Sequence, residues 1–237
     1  MNRNDVYDAV WKRRSVRKYT DKPIESDKVN ALRGSISSLN EASGLTMEFA
    51  EEFESFRTVL TVMFKNVRSA IVVKGRTDDP HLREKCGYYG EQMVLEATAL
   101  GLGTCWVAGF NKRSGSLNTK DDETVVCVIS IGYSAEEISG TSSIPDAPYR
   151  KTKSISEFLE GNTDVPDWVR AGVKSVQFAP TAMNSQKTRF QYADGLVTAH
   201  IPSGKLNMVD LGITKLHFEL AAGGKFELGS PGRFTKG

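Results

Sequence analysis

Met93-Val94-Leu95-Glu96-Ala97-Thr98-Ala99-Leu100-Gly101-Leu102-Gly103-Thr104-Cys105-Trp106-Val107 is the stretch on which the fold turns. Its first part continues a helical pattern that begins near residue 82, with Tyr88, Met93, Leu95, Ala97, Ala99 and Leu100 spread around much of the circumference. A helix apolar on most sides must be covered on most sides, so it belongs at the centre of the molecule. Gly101 and Gly103 are expected to stop it, and 104–107 reads as a strand. The Gly-x-Gly here follows a helix. A dinucleotide-binding fingerprint would have to follow a strand, so that motif is excluded.

Working outward, residues 5–13 place Val6, Ala9 and Val10 at helical spacing, with Asp5 as expected N-cap. Pro23 breaks the chain before a second helix over 25–39, whose apolar face is Val29, Leu32, Ile36 and Leu39. An amphipathic helix is expected over 53–65. Residues 70–74, a β-branched run before Gly75, read as a buried strand, and so does 125–131. The Ser-, Pro- and Lys-rich residues 138–154 form a loop or extended arm. A helix over 166–178 ends before Pro180. Strands at 188–193 and 196–201 flank the turn at Asp194-Gly195, and a last helix covers 207–222. Helices and strands mixed in this order define an α/β or α+β sandwich.

A faint repeat runs through this order. Segments 35–49 and 175–190 each join a helix end, a small-residue turn and an extended stretch. Gly87-Tyr88…Leu95-Glu96-Ala97 is echoed by Gly212-Ile213…Leu220-Ala221-Ala222. We read a duplication from these matches, with a first unit at 1–160 and a shortened second unit at 161–237.

Composition narrows the classes. With 39% hydrophobic and 25% charged residues over 237 positions, the chain can bury a core of ordinary size. A net charge of +2 is too close to neutral to indicate nucleic acid or an anionic membrane as a partner. No segment has the length of a membrane span, and the N-terminus lacks the apolar core of a secretion signal. Cys86, Cys105 and Cys127 lack metal-ligand spacing and are read as buried free thiols, consistent with a cytoplasmic location.

Four segments carry possible chemistry. Lys12-Arg13-Arg14-Ser15-Val16-Arg17-Lys18-Tyr19 concentrates five cations and a hydroxyl, suited to gripping phosphate or a carbonyl edge, or else is a solvated helix end complementing the macrodipole. Ala179-Pro180-Thr181-Ala182-Met183-Asn184-Ser185-Gln186 combines small side chains with donors and acceptors, suited to a flat heterocycle, or else is an ordinary turn. Ala108-Gly109 leaves backbone N–H groups uncovered, or else simply follows a helix C-cap. Tyr149-Arg150-Lys151-Thr152-Lys153 can close on an anion, or else is a solvated loop. His81, His200 and His217 receive no role.

Taken together these segments resemble the nitroreductase family of FMN-dependent oxidoreductases, over most of the chain. The resemblance lies in Arg13-Arg14-Ser15-Val16-Arg17-Lys18-Tyr19, in 99–106, in Ile131-Gly132-Tyr133 followed by the basic arm and Ile155-Ser156-Glu157-Phe158, and in 180–186. One feature departs from it: the small-residue loop stands far down the chain, where typical members carry it after the second helix. Here that earlier place holds Leu39-Asn40-Glu41-Ala42-Ser43-Gly44. Family members are usually homodimers with FMN at the interface, and the single-chain, dimer-mimicking nitroreductase group is what the chain resembles most.

The resemblance implies an α+β, nitroreductase-like sandwich whose internal duplication mimics the homodimer, with one FMN in a monomeric chain. Arg13, Arg14, Ser15 and Arg17 would hold the phosphate, ribityl and pyrimidine parts. Val107, Ala108 and Gly109 would face N5, although many relatives carry an acid where Ala108 stands. Arg150 and Lys151, or Lys153 in another register, would close on the phosphate, and Pro180, Thr181, Ala182, Asn184 and Gln186 would line the ring. NAD(P)H would give hydride to the flavin and a small electron-poor acceptor, a nitroaromatic or quinone, would take it, with no side-chain acid or base. Exchanging Arg13 and Arg17 together for alanine is expected to weaken FMN binding and leave the fold intact. The alternatives are a non-catalytic flavin-binding protein, a dehalogenase-like flavoenzyme, and an interaction protein without a ligand.

Overall fold

The structure, a computed structural model, describes residues 3–53, 63–110, 117–135 and 150–237. The first part of the chain forms α1 (Arg3–Lys12), α2 (Ser26–Ser43), β1 (Glu48–Ala50), β2 (Ser69–Arg76), α3 (Leu82–Ala99), β3 (Gly103–Val107) and β4 (Glu123–Gly132). Its strands make an antiparallel sheet in the order β1-β2-β4-β3. β2 is buried from Ser69 to Gly75, which explains why it reads as a continuous apolar run. Alternation sends its side chains both ways. Ile71 and Val73 join Cys127, Ile129 and Ile131 in a core beneath α2 and α3, while Ala70 and Val72 join Val128, Cys105, Phe53 and Phe64 on the other face.

The second part forms α4 (Ile155–Phe158), β5 (Leu159–Glu160), α5 (Asp167–Val176), a 3-10 turn (Ala182–Asn184), β6 (Arg189–Ala193), β7 (Leu196–His200), α6 (Lys205–Ala222), β8 (Gly224–Phe226) and β9 (Gly232–Lys236). The sheet order is β5-β6-β7-β9-β8, with β5 parallel to β6 and the other pairs antiparallel. Asp194 and Gly195 have φ of 51° and 78°, the left-handed pair that a tight two-residue hairpin needs. This core is aromatic: the rings of Phe190 and Phe218 stack at 5.0 Å and Phe234 meets Phe218 edge-on at 5.2 Å.

α3 and α6 cross at the centre, and two glycines set how closely. A Cβ on Gly87 would lie 2.0 Å from the Val209 carbonyl oxygen, and one on Gly212 would lie 2.0 Å from that of Glu84. The sequence interval from Gly87 to Gly212 equals that from Glu84 to Val209. The crossing is thus two-fold-like, each helix offering a glycine to the other's backbone.

Several boundaries differ from expectation. α1 begins at Arg3, so Asp5 sits in the first turn, where a carboxylate favours the dipole, instead of capping it. α2 runs on to Ser43 and closes at Gly44, whose N–H donates to Asn40 O with φ of 73°. α6 starts at Lys205, earlier than expected, and α5 at Asp167. Gly103 does not stop α3: it lies in β3, where a Cβ would come 2.7 Å from Val16 Cγ2. β1, β8 and β9 were not expected. The helix expected over 53–65 falls mostly on 54–62, outside the described residues, as does most of the 138–154 arm.

A candidate ligand cleft between the two halves

The chain after α1 runs beside β3. Ser15 pairs in parallel with Thr104, and Val16 N–H donates to Thr104 O at 2.8 Å. This extends the first sheet by one short rung and presents Ser15 and Arg17 at its edge. The opposite wall is the first half of α6, with Leu206, Val209, Asp210 and Ile213. The turn 180–186 forms a third side, and Arg150 closes the rim. The enclosed cleft measures about 520 Å³, within the roughly 300–1,000 Å³ usual for small-molecule and cofactor sites.

Of the residues singled out in the sequence, the cleft brings together Ser15, Arg17, Val107, Ala108, Arg150, Pro180, Thr181, Ala182 and Asn184. Arg13, Arg14, Gly109, Lys151 and Gln186 are not on its lining. Arg13 lies behind the wall and is 2% exposed. Its Nε stands 3.9 Å from Glu91 Oε1, and Nη2 donates to Phe178 O at 3.4 Å. Glu91 also accepts from Trp106 Nε1 at 2.8 Å and meets His217 Nε2 at 3.0 Å. This buried cluster anchors the ring of Trp106, a residue of the cleft lining, and Gly90 leaves the space for it, since a Cβ there would meet Cη2 at 2.5 Å. Removing Arg13 would therefore disturb the fold, contrary to the expectation for the paired alanine exchange. Arg14 bends back to the carbonyls of Trp11 and Arg13 at 3.0 and 2.9 Å.

Gln186 is a bracket behind the turn. Its Oε1 accepts from Thr152 Oγ1 and Lys153 N, and its Nε2 donates to Lys151 O and Asn184 Oδ1. Asn184 Nδ2 donates to the same Lys151 carbonyl at 2.9 Å. Lys151 thus contributes its backbone, while Lys153 Nζ donates to Gln186 O at 2.9 Å. Burial and neighbouring Arg189 pull the Lys153 ammonium below the ordinary lysine range. Arg150 Nη1 donates to Gln177 O at 3.1 Å and Nη2 to Ala179 O, placing a cation at the end of α5 beside the cleft.

Sequence reasoning missed Cys105, Trp106, Cys127, Met183, Leu206, Val209, Asp210 and Ile213 on the lining. The two thiols are inert: burial pushes Cys127 up to about 12 and raises Cys105 as well, so neither is a thiolate near neutral pH. Asp210 is different. It is 3% exposed, and both its oxygens accept from the Ala182 N–H, at 3.0 and 3.1 Å. Burial raises its carboxyl to about 6, against the lowering effect of that N–H, Lys187 and Ser185. A lone acid in the apolar run Met208-Val209-Asp210-Leu211-Gly212-Ile213 was the available signal.

Counted from the crossing glycines, His81, Glu84 and Lys85 precede Gly87 as Leu206, Val209 and Asp210 precede Gly212, His81 capping α3 and the other two lying in it. Of these, Glu84 is buried. Gly229 N–H donates to Glu84 Oε2 at 2.7 Å, and Lys215 Nζ bonds Glu84 and, at 2.8 Å each, the carbonyls of Glu227 and Gly229.

A nitroreductase described as putative, from Thermotoga maritima, superposes with a TM-score of 0.64 at 23% identity, over 99% of this chain and 92% of its own. An FMN-dependent nitroreductase from Clostridium difficile matches 54% of this chain and 87% of its own at 24% identity and a TM-score of 0.44. A nitroreductase family protein from Clostridium difficile 630 matches 55% and 85% at 20% identity and 0.46. No curated protein matches the chain. The family model described as "Putative TM nitroreductase" matches residues 5–222. The chain belongs to that nitroreductase family, in an α+β fold.

Proposed function

We propose that the cleft binds one FMN and that the protein is a two-electron oxidoreductase. The observation that carries this is the convergence of Arg17, from the start of the chain, with Ala182 and Asn184, from its far part, on one cleft. The donor set fits the group. Cys127, Val209 and Ile213 give an apolar surface for a flat ring, Pro180 and Ala182 allow close approach, and Arg17 and Arg150 supply positive charge at the edge. FMN bound there supplies hydride transfer between NAD(P)H and an electron-poor acceptor. Arg17 and Arg150 bind and orient the anionic end and favour negative charge on the reduced ring. Val107 and Ala108, on the same lining, would face N5 of the ring. Met183, fully exposed, with Leu206, 41% exposed, makes an apolar lip suited to an aromatic acceptor.

The buried Glu84 on α3, where α6 has the cleft-lining Val209, supports a single site per chain, and the paired glycine crossing supports the duplicated plan of a monomer that mimics a dimer. The purified protein is expected to be yellow, with absorption near ~370 and ~450 nm as for a bound flavin, at one FMN per chain. Loss of one charge-assisted contact predicts that Arg17→Ala weakens FMN binding by about tenfold or more, with circular dichroism unchanged. NAD(P)H is expected to bleach the flavin without oxygen, which separates an enzyme from a passive binder. Failure to take up FMN on reconstitution would overturn the proposal.

A further inference from the structure

We propose that Asp210 is a positioning residue: its charged carboxylate holds the turn 180–186 in the shape that lines the cleft, and protonation of that carboxylate releases the turn. The proposal rests on the flavin reading only for the identity of the ligand.

The turn requires holding. Met183, Asn184 and Gln186 have φ of 53°, 54° and 48°, three side-chain-bearing residues in the left-handed region within four positions. Each such residue is strained and persists only when its surroundings over-determine it. From inside the turn, Asn184 N–H donates to Thr181 O at 2.9 Å and Gln186 N–H to Thr181 Oγ1 at 3.1 Å. From outside, Gln186 and Asn184 tie it to the 151–153 backbone. On the cleft side the anchor is Asp210, reaching from α6 to the Ala182 N–H with both oxygens. A carboxylate accepts such a bond about twice as strongly as a neutral oxygen does.

The groups around Asp210 come from several elements. Lys187 and the Ser185 hydroxyl face it from the turn and its continuation. Cys127 faces it from β4, with Arg83 of α3 acting on that thiol. Arg17 and Arg150 share its cleft. Burial dominates and brings its carboxyl to about 6. The folded chain holds this proton more tightly than the unfolded chain, whose Asp titrates near ~3.9. Ionisation therefore costs global stability as pH rises from about 4 to 6, whereas the Ala182 N–H acts the other way: it lowers the carboxyl, so that bond favours the charged form and is weakened when Asp210 takes up a proton. Asp210→Asn removes the buried charge, keeps one oxygen to accept from Ala182, and should fold at every pH tested.

Two readouts at pH 5.0 to 7.5 test this on the wild type and Asp210→Asn. The first, without ligand, is amide hydrogen exchange of a peptide spanning 180–187, corrected for the intrinsic rate. The wild type is expected to lose protection below about pH 6, and Asp210→Asn to show low, pH-independent protection. The second is FMN titration by fluorescence quenching. The wild-type dissociation constant is expected to rise about tenfold more than the variant's on acidification. Comparison with the variant subtracts the titration of the FMN phosphate itself, near ~6. Equal protection at all pH values in the wild type, or the same pH response in Asp210→Asn, overturns the proposal. A loop that responds as expected in a protein that binds no FMN sustains the role of Asp210 and overturns the flavin assignment instead.

Discussion

Arg13→Ala is expected to destabilise the protein by about 3 kcal/mol, the cost of breaking a buried ion pair from one side. Arg13 and Glu91 are 2% and 0% exposed. Taking the guanidinium away leaves the fully buried Glu91 carboxylate with the His217 ring and the Trp106 N–H as its partners among the described residues. It also removes the bond that ties the chain after α1 to the Phe178 carbonyl at the end of α5. Urea unfolding measures the change directly. Arg17→Ala, on the cleft surface, should shift stability by less than ~1 kcal/mol. Equal losses for the two variants would show that the division between a supporting and a ligand-facing arginine is wrong.

Gly212→Ala is expected to cost more than ~3 kcal/mol, above the usual range for an added methyl group because the clash is with backbone. The new Cβ would sit 2.0 Å from Glu84 O and 2.7 Å from Tyr88 N. Neither atom can rotate away, so α3 and α6 must separate along their central contact. Glycine's usual cost within a helix, up to ~1 kcal/mol relative to alanine, would otherwise make this exchange favourable. Gly34→Ala gives the control: a Cβ at Gly34 in α2 meets nothing within 4 Å, so that variant should be slightly stabilised. A soluble Gly212→Ala protein with wild-type midpoint would refute the tight crossing.

How much of this was legible depended on what each residue's pattern could encode. β2, with Ile71-Val72-Val73, and α3, apolar around most of its surface, declared themselves because burial on all sides leaves a continuous signal. The hairpin at Asp194-Gly195 did so because both positions need positive φ. β8 and β9 did not: Gly224-Lys225-Phe226 and Gly232-Arg233-Phe234-Thr235-Lys236 are short and mostly polar, and pairing between them supplies what propensity lacks. In the site, a run of five cations shows that an anion can be met there but not which side chain turns inward. Arg13 went to Glu91, a partner far along the chain that no local spacing reveals. The small-residue turn was legible as a candidate binding loop, and it does line the cleft; the acid that grips it, on another helix, was not singled out.

Because Arg17 comes from the opening segment and Ala182 and Asp210 from the closing third, the cleft is incomplete until the two parts of the chain have docked. A molecule held there fastens the halves to one another. Occupancy should therefore raise the melting temperature of the whole chain as one transition, by the mass-action term for any ligand confined to the native state. Neither half expressed by itself would retain it.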